Sequence, residues 1–387
     1  MADNKITIRL TGRIDSQNAP EKERELLEIL EKEAGSTLVI DASELSYISS
    51  AGLRILMKLR KTYGEGIQIR EVSPEVYDIF DTTGFTELFD IRRTPREISL
   101  EGCEIIGKGF YGTVYRIDDD TIVKMYDSPD SVPMIENEKK MAKMAFLKGI
   151  PTAISFDIIR SGNRYGSVFE MLKSSTFNDL IIDSPDRVDE ITDRYIAFMK
   201  EVHSTVMDPG TLSFARDRHI GYIDVISPFL DKQTLDGCRK LLMTLPDDLH
   251  VVHGDFQMKN VMLSGDEPML IDMDTLSTGQ PIFDLAGLYV TYRVFEEDEP
   301  GNTKAFLGIG SETAAHIWDR ILSGYFDGAN SAALSEISAK IFLVAYIRFM
   351  YIIAVSDLKN GETGKLRLKH SAQHLKELAA ELTDLLI

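Results

Sequence analysis

The chain has 387 residues, 43% hydrophobic and 27% charged, with a formal net charge of −19. This length favours two domains or more, each able to bury a core. The acidic balance argues against a surface built for nucleic acid or anionic lipid, because phosphate groups recruit Lys and Arg clusters. Cys103 and Cys238 stand far apart without metal-type spacing, a usage that suits a reducing cytosol and no disulfide framework. Met1 to Lys5 carries no apolar signal core. The apolar run Ile341 to Val355 is interrupted by Arg348 and falls short of the roughly 20 residues a membrane span needs. It is predicted to be a buried helix, and the protein is expected to be cytoplasmic, with neither a membrane nor a nucleic acid as partner.

Lys5 to Leu10 alternates polar and apolar residues, the period of a half-buried strand. Ala19 to Ala34 places Leu26, Leu27, Ile29 and Leu30 on one side of a helix, with Gly35 as its stop. Thr37 to Asp41 reads as a buried strand, Ala51 to Tyr63 as a helix ending at Gly64, Ile67 to Val72 as a strand and Pro74 to Phe80 as a short helix. Strands alternating with helices form a compact α/β layer. Asp90 to Ser99 is rich in charge, contains Pro95 and reads as a linker.

Gly12 to Asp15, Leu38 to Ser43 and Tyr47 to Leu53 resemble the STAS domain, the anti-sigma-factor antagonist fold, over about residues 1–92. The resemblance implies a regulatory or docking module with a protein partner. Phosphoregulated members carry the modified serine just before the glycine of that turn. Here Ala51 holds that position, and Ser50 is the nearest hydroxyl and the candidate regulatory residue. The alternative is that Ser49 and Ser50 cap the following helix through their side-chain oxygens.

Further on, Gly107-Lys108-Gly109-Phe110-Tyr111-Gly112 is followed by Thr113, Val114 and Tyr115, a turn at Asp118 to Asp120, and a second strand, Thr121 to Tyr126. A dinucleotide-binding loop would open a helix at the third glycine. This pattern is instead a hairpin whose tip lets backbone amides approach phosphates, making Gly107, Gly109, Gly112 and Val114 nucleotide candidates. Lys124 lies alone among apolar neighbours, so it is either on a sheet edge or paired. Glu138 on the next helix is the preferred partner and Glu136 the lesser one. Arg164 to Leu172 reads as a strand entering a lobe connection; its resemblance to the corresponding kinase segment implies that the backbone of Glu170 and Met171 would face adenine.

His253-Gly254-Asp255-Phe256-Gln257-Met258-Lys259-Asn260 is the strongest signal. An apolar entry and the exit strand Val261 to Leu263 hold a tight loop. Asp255 can accept a hydroxyl proton, and Asn260 can offer a neutral oxygen to Mg2+. His253 is read as organising the loop. Asp272, delivered by the strand Met269 to Ile271, is the second Mg2+ candidate. Asp274 is expected to support the metal, and Asp284 to hold the loop from below or cap a helix. His203 is assigned no catalytic role.

These motifs resemble the aminoglycoside/choline phosphotransferase family, a branch of the protein-kinase-like fold, over about residues 100–387. The expected fold class is an α/β STAS domain (1–92), a linker (93–101) and an α+β bilobal kinase-like domain (102–387), with an N-lobe of about 102–172 and a C-lobe of about 173–387. The resemblance implies an enzyme using ATP and Mg2+. Only a short loop, Thr275 to Gln280, precedes Asp284 and no Ala-Pro-Glu follows, which favours a small-molecule hydroxyl acceptor over a polypeptide. The acidic run Glu296 to Glu299 reads either as a solvated loop or as an attractor for a cationic acceptor, and the aromatic residues from Trp318 to Tyr351 as core. The competing reading is an anti-sigma-antagonist-type interaction protein whose kinase domain senses nucleotide or phosphorylates a protein partner.

Overall fold

A computed structural model describes residues 5–30, 37–64, 66–108, 112–171 and 174–387. The chain divides into two compact units, Met1–Ser99 and Leu100–Ile387.

In the first unit four strands lie in sequence order and in parallel: β1 (Lys5–Ile14), β2 (Thr37–Ile48), β3 (Gln68–Val72) and β4 (Asp90–Arg93). Parallel neighbours need crossovers, and helices α1 (Ala19–Leu30), α2 (Ser50–Tyr63), α3 (Pro74–Thr82) and α4 (Phe85–Leu88) lie within them. Ile6, Ile8 and Leu10 are buried while Thr7 and Arg9 are exposed, as the alternation in β1 predicts. Ser49 caps α2, its Oγ accepting the Ala51 amide at 3.2 Å. The helix ends where Gly64 takes a left-handed φ of 83°, a conformation that costs glycine least.

The linker reading of Asp90 to Ser99 needs correction at its start. Asp90–Arg93 is an edge strand of the sheet, and Asp90 accepts two hydrogen bonds from Arg70 of β3, at 3.1 and 2.8 Å. Its charges are those of an edge strand. A two-residue strand, β5 (Arg96–Glu97), follows.

The second unit starts with antiparallel strands β6 (Glu104–Lys108), β7 (Gly112–Arg116), β8 (Thr121–Tyr126), β9 (Asp157–Ser161) and β10 (Arg164–Glu170), running β9-β10-β8-β7-β6 across the sheet. Helix α5 (Val132–Leu147) lies between β8 and β9 in sequence. Beyond β10 come β11 (Ser174–Thr176), α6 (Phe177–Asp183), α7 (Val188–His203), α8 (Ala215–Ile226) and α9 (Lys232–Leu242). Short strands β12 (Val251–Val252), β13 (Val261–Ser264), β14 (Glu267–Leu270) and β15 (Ser277–Thr278) then frame the loop region. Helices α10 (Ile282–Tyr289), α11 (Phe295–Glu297), α12 (Asn302–Leu307), α13 (Ser311–Tyr325), α14 (Ser331–Val355) and α15 (Glu362–Glu381) complete the unit.

Helix α14 organises this lobe by packing against α8, α10 and α15. Among the described residues it alone is long and apolar enough to cross a membrane, and 61% of its most apolar window is buried inside the fold. Its apolarity is thus largely spent on packing, the cheapest use of a helix hydrophobic nearly all round.

Candidate active site

Strand β8 is central, paired with β7 through Val114↔Lys124 and with β10 through Ser167↔Lys124. Lys124 is therefore not on an edge and must find a partner. Its Nζ donates to Glu138 of α5 at 3.2 and 3.3 Å and also meets the Asp272 carboxylate. Burial alone would lower the ammonium's pKa; Asp272 and Glu138 outweigh it and hold the group charged. The Tyr126 hydroxyl adds a donor to Glu138. No hydrogen bond or ion pair places Glu136 on Lys124 among the described residues.

Asp272 is one of the two non-glycine residues with positive φ among the described residues, at φ 62° and ψ 60°. A side chain in this region costs about 1–2 kcal/mol, and such outliers gather at functional sites. Burial, then Asp272 and Glu138, raise the Asp274 carboxyl to about 6.

Asp284, fully buried in the first turn of α10, holds the 253–260 loop. It is the third residue of the helix, whose cap position is held by Pro281. Its two oxygens accept the backbone amides of His253 at 2.8 Å and Gly254 at 2.6 Å, and Oδ2 also meets His203 Nε2 at 2.9 Å. Burial would raise this carboxyl, but the bonds to His203 and His253 hold it below the usual carboxylate range. His203 thus supports the loop through Asp284, while its Nδ1 meets the Tyr325 hydroxyl at 2.8 Å.

His253 is buried, and its Nδ1 accepts the Asp255 amide at 3.2 Å. The proton then belongs on Nε2, which donates to the Ile271 carbonyl at 3.0 Å. The ring ties the loop to the strand that delivers Asp272. The Ile271 amide reinforces this tie by donating to the Asn260 carbonyl at 3.0 Å.

The Asp255 carboxylate accepts three side-chain donors. Oδ2 takes Gln257 at 2.9 Å and Asn260 at 2.8 Å; Oδ1 takes Arg348 Nη2 at 3.0 Å. Asn260 donates through Nδ2, and no hydrogen bond among the described residues uses its Oδ1. That oxygen and the second carboxylate oxygen of Asp272 fit a magnesium ion, a hard cation served by few protein oxygens alongside phosphate. Among the described residues no three His, Cys, Asp or Glu converge as a protein-only cage.

Arg348 was missed as a site residue, although the sequence carried a signal. It is the single charge in the run Ile341 to Val355, and a cation within a buried helix demands a partner. Arg218 of α8, whose Nη1 donates to the Thr275 carbonyl at 2.7 Å, had no comparable signal.

Two further expectations change. The Met171 amide, expected to face adenine, donates to the Asp120 carbonyl at 2.7 Å, directly after Glu170 pairs with Thr121. Backbone pairing with the turn before β8 continues past the end of β10 and occupies that donor. Each side chain of the acidic run 296–299 has a partner within the chain, although Glu297 and Glu299 remain exposed. Glu296 accepts the amides of Gly301 and Thr303 at 2.6 and 2.8 Å, and Glu297 accepts the Tyr346 hydroxyl at 2.9 Å. Asp298 meets His370 at 2.6 Å and Glu299 pairs with Arg367 at 2.7 Å.

The glycine-rich hairpin is described on both sides of its tip. Gly107 pairs with Val114, while Gly109 lies outside the described residues. A Cβ on Gly112 would meet the Met125 carbonyl oxygen at 2.0 Å, so this glycine lets two strands approach closely. In the first unit Ser50 is exposed at the first residue of α2. A Cβ on Gly52 would meet Ile48 at 2.6 Å and Ile14 at 2.8 Å, which accounts for the glycine in that turn.

Residues 102–316 match the family model described as "Phosphotransferase enzyme family". The chain belongs to that family. Residues 2–98 match the STAS domain model. The anti-sigma-B factor antagonist of Listeria monocytogenes is 31% identical over 98 residues, covering 24% of this chain and 84% of that protein. The anti-sigma-B factor antagonist of Bacillus subtilis is 29% identical over 92 residues, covering 23% and 83%. A thermostable mutant of aminoglycoside phosphotransferase APH(4)-Ia aligns over 72% of this chain and 97% of its own, with a TM-score of 0.50 and 13% identity. That likeness is one of fold. The protein is thus a STAS domain followed by a kinase-like phosphotransferase domain.

Proposed function

We propose that the phosphotransferase domain uses ATP and Mg2+ to phosphorylate a hydroxyl of a small molecule, with the STAS domain as a regulatory or docking module. The observation that carries this reading is the tie between two parts of one site. The loop presenting Asp255 and Asn260 is bonded through His253 and Asn260 to the strand that delivers Asp272, and Asp272 meets Lys124. In this reading Lys124, fixed by Glu138, takes the α- and β-phosphates. Asn260 and Asp272 hold Mg2+, which supplies charge neutralisation at the phosphates when bound. Asp274 and Asp284 support them. Gly107, Gly109, Gly112 and Val114 cover the nucleotide, and the Glu170 backbone borders the adenine.

The transfer breaks the bond between the γ-phosphorus and its bridging oxygen, whose electron pair leaves with ADP. The acceptor oxygen forms the new bond, and its proton passes to Asp255. The short segment after Asp272 supports a small acceptor. A panel of small hydroxyl compounds, screened for stimulated ATP consumption, tests this. One compound should stimulate turnover and be recovered phosphorylated; phosphate recovered only on protein would contradict it.

The similarity of residues 2–98 to anti-sigma-B factor antagonists supports a second reading, in which the kinase-like domain senses nucleotide or phosphorylates a protein partner. Full-length protein used as bait should then retain one stoichiometric partner in a nucleotide-dependent manner. Phosphate on that partner would favour this reading, whereas phosphate on the exposed Ser50 would point to a Ser/Thr protein kinase.

A further inference from the structure

The acidic run 296–299 is already partnered within the chain, and the groups beside Asp255 bear more directly on the chemistry of the acceptor. Two guanidinium groups from the packed helices α8 and α14 meet at Gly254. Arg348 donates to the Gly254 carbonyl and, at 3.0 Å, to Asp255 Oδ1. Arg218 Nη1 lies 3.0 Å from where a Gly254 Cβ would stand, while donating to Thr275 at 2.7 Å. About one turn further along each helix, Tyr222 and Tyr351 stack with ring centroids 4.0 Å apart and planes 19° from parallel. Burial raises the Tyr222 phenol's pKa, and Arg348, Arg218, Tyr351 and Asp255 all act on its ionisation, which puts the five groups in one neighbourhood.

The charges on this wall do not balance. Arg348 has Asp255 as its counterion. Among the described residues no carboxylate pairs with the half-buried Arg218, whose recorded acceptor is a neutral carbonyl. A partly desolvated guanidinium without a counterion favours an anion, and its planar fork suits carboxylate or phosphate oxygens. A polycation would instead meet the uncompensated like charge of Arg218.

We propose that the acceptor is itself an anion, a hydroxylated carboxylate or phosphate ester, whose charged group is held by Arg218 while its hydroxyl faces Asp255. Arg348 positions the base, and the stacked tyrosines form the adjoining wall. This assignment rests on the phosphotransferase reading and names its substrate class.

The test uses the full chain loaded with Mg2+ and the non-hydrolysable analogue AMP-PNP, titrated calorimetrically with D-glycerate, glycerol 3-phosphate, glycerol and choline. At least one anion should bind more tightly than glycerol or choline, the two anions separating a carboxylate from a phosphate preference. Arg218→Met should weaken that binding by about tenfold or more, as expected for loss of a charge-assisted contact, and leave AMP-PNP affinity unchanged. Arg218→Lys, which keeps the charge and guards against a folding defect, should retain part of the affinity. Choline binding as tightly as either anion, neither anion binding, or anion binding indifferent to a folded Arg218→Met variant would overturn the proposal. Failure of AMP-PNP itself to bind would instead strike the phosphotransferase reading, and the Arg218 dependence of glycerate binding is read without nucleotide as well.

Discussion

Asp284 carries the loop that presents Asp255. One carboxylate satisfies two amides and a histidine in a site that water does not reach. Asp284→Asn replaces an acceptor oxygen with a donor facing a donor and should cost about 1–3 kcal/mol. Because the folded-state pKa is depressed, this contribution is present above the ordinary carboxylate range and is lost as pH falls through the folded value. Denaturant unfolding across an acid-to-neutral series should show the variant less stable at neutral pH, with a shallower loss in acid. Equal stability of the two proteins at neutral pH would refute this account of Asp284.

At this scale, residues embedded in short motifs were legible. Lys124, Glu138, Asp255, Asn260 and Asp272 are singled out by spacing along the chain, and the structure brings them into one connected network. Arg348 and Arg218 lie on helices far away in sequence, and only the fold reveals what they touch. For Met171 the sequence does not show that its amide is already bonded to the Asp120 carbonyl, because that contact comes from the turn before β8.

Among elements, the glycine-rich hairpin separates two kinds of glycine. A Cβ on Gly112 would collide with the Met125 backbone at 2.0 Å, whereas one on Gly107 would meet Val114 at 3.7 Å, an ordinary contact. Gly112→Ala should therefore destabilise the protein by about 1–3 kcal/mol through overpacking against rigid backbone. Gly107→Ala should stay within about 0.5 kcal/mol. Thermal melts of the pair check this, and equal losses would mean that strand proximity is not what selects Gly112. Element type was readable wherever periodicity was strong: α2 spans Ser50–Tyr63, where the sequence predicts a helix over Ala51 to Tyr63. The exception is β4, whose edge position permits a charged sequence that looks like a linker.

Over the whole molecule, the sequence showed two units because their motifs belong to different folds, and 2–98 and 102–316 are the stretches the family models match. The acceptor was not legible, since its wall is assembled from helices that carry no shared motif. If Lys124 contacts the phosphates, Mg2+ with AMP-PNP at a hundredfold excess over its Kd should stabilise the phosphotransferase domain by about 2.7 kcal/mol. Scanning calorimetry should show that gain in the parent and a much smaller one in Lys124→Met. An undiminished gain in the variant would remove Lys124 from the nucleotide site.

The most direct test of the central claim is phosphoryl transfer from ATP by Asp255→Asn, measured with AMP-PNP affinity on the same preparation. General-base catalysis by Asp255 predicts a fall of about two to four orders of magnitude in transfer, with nucleotide affinity within about twofold of the parent. Transfer at the parental rate by the folded variant would contradict the account.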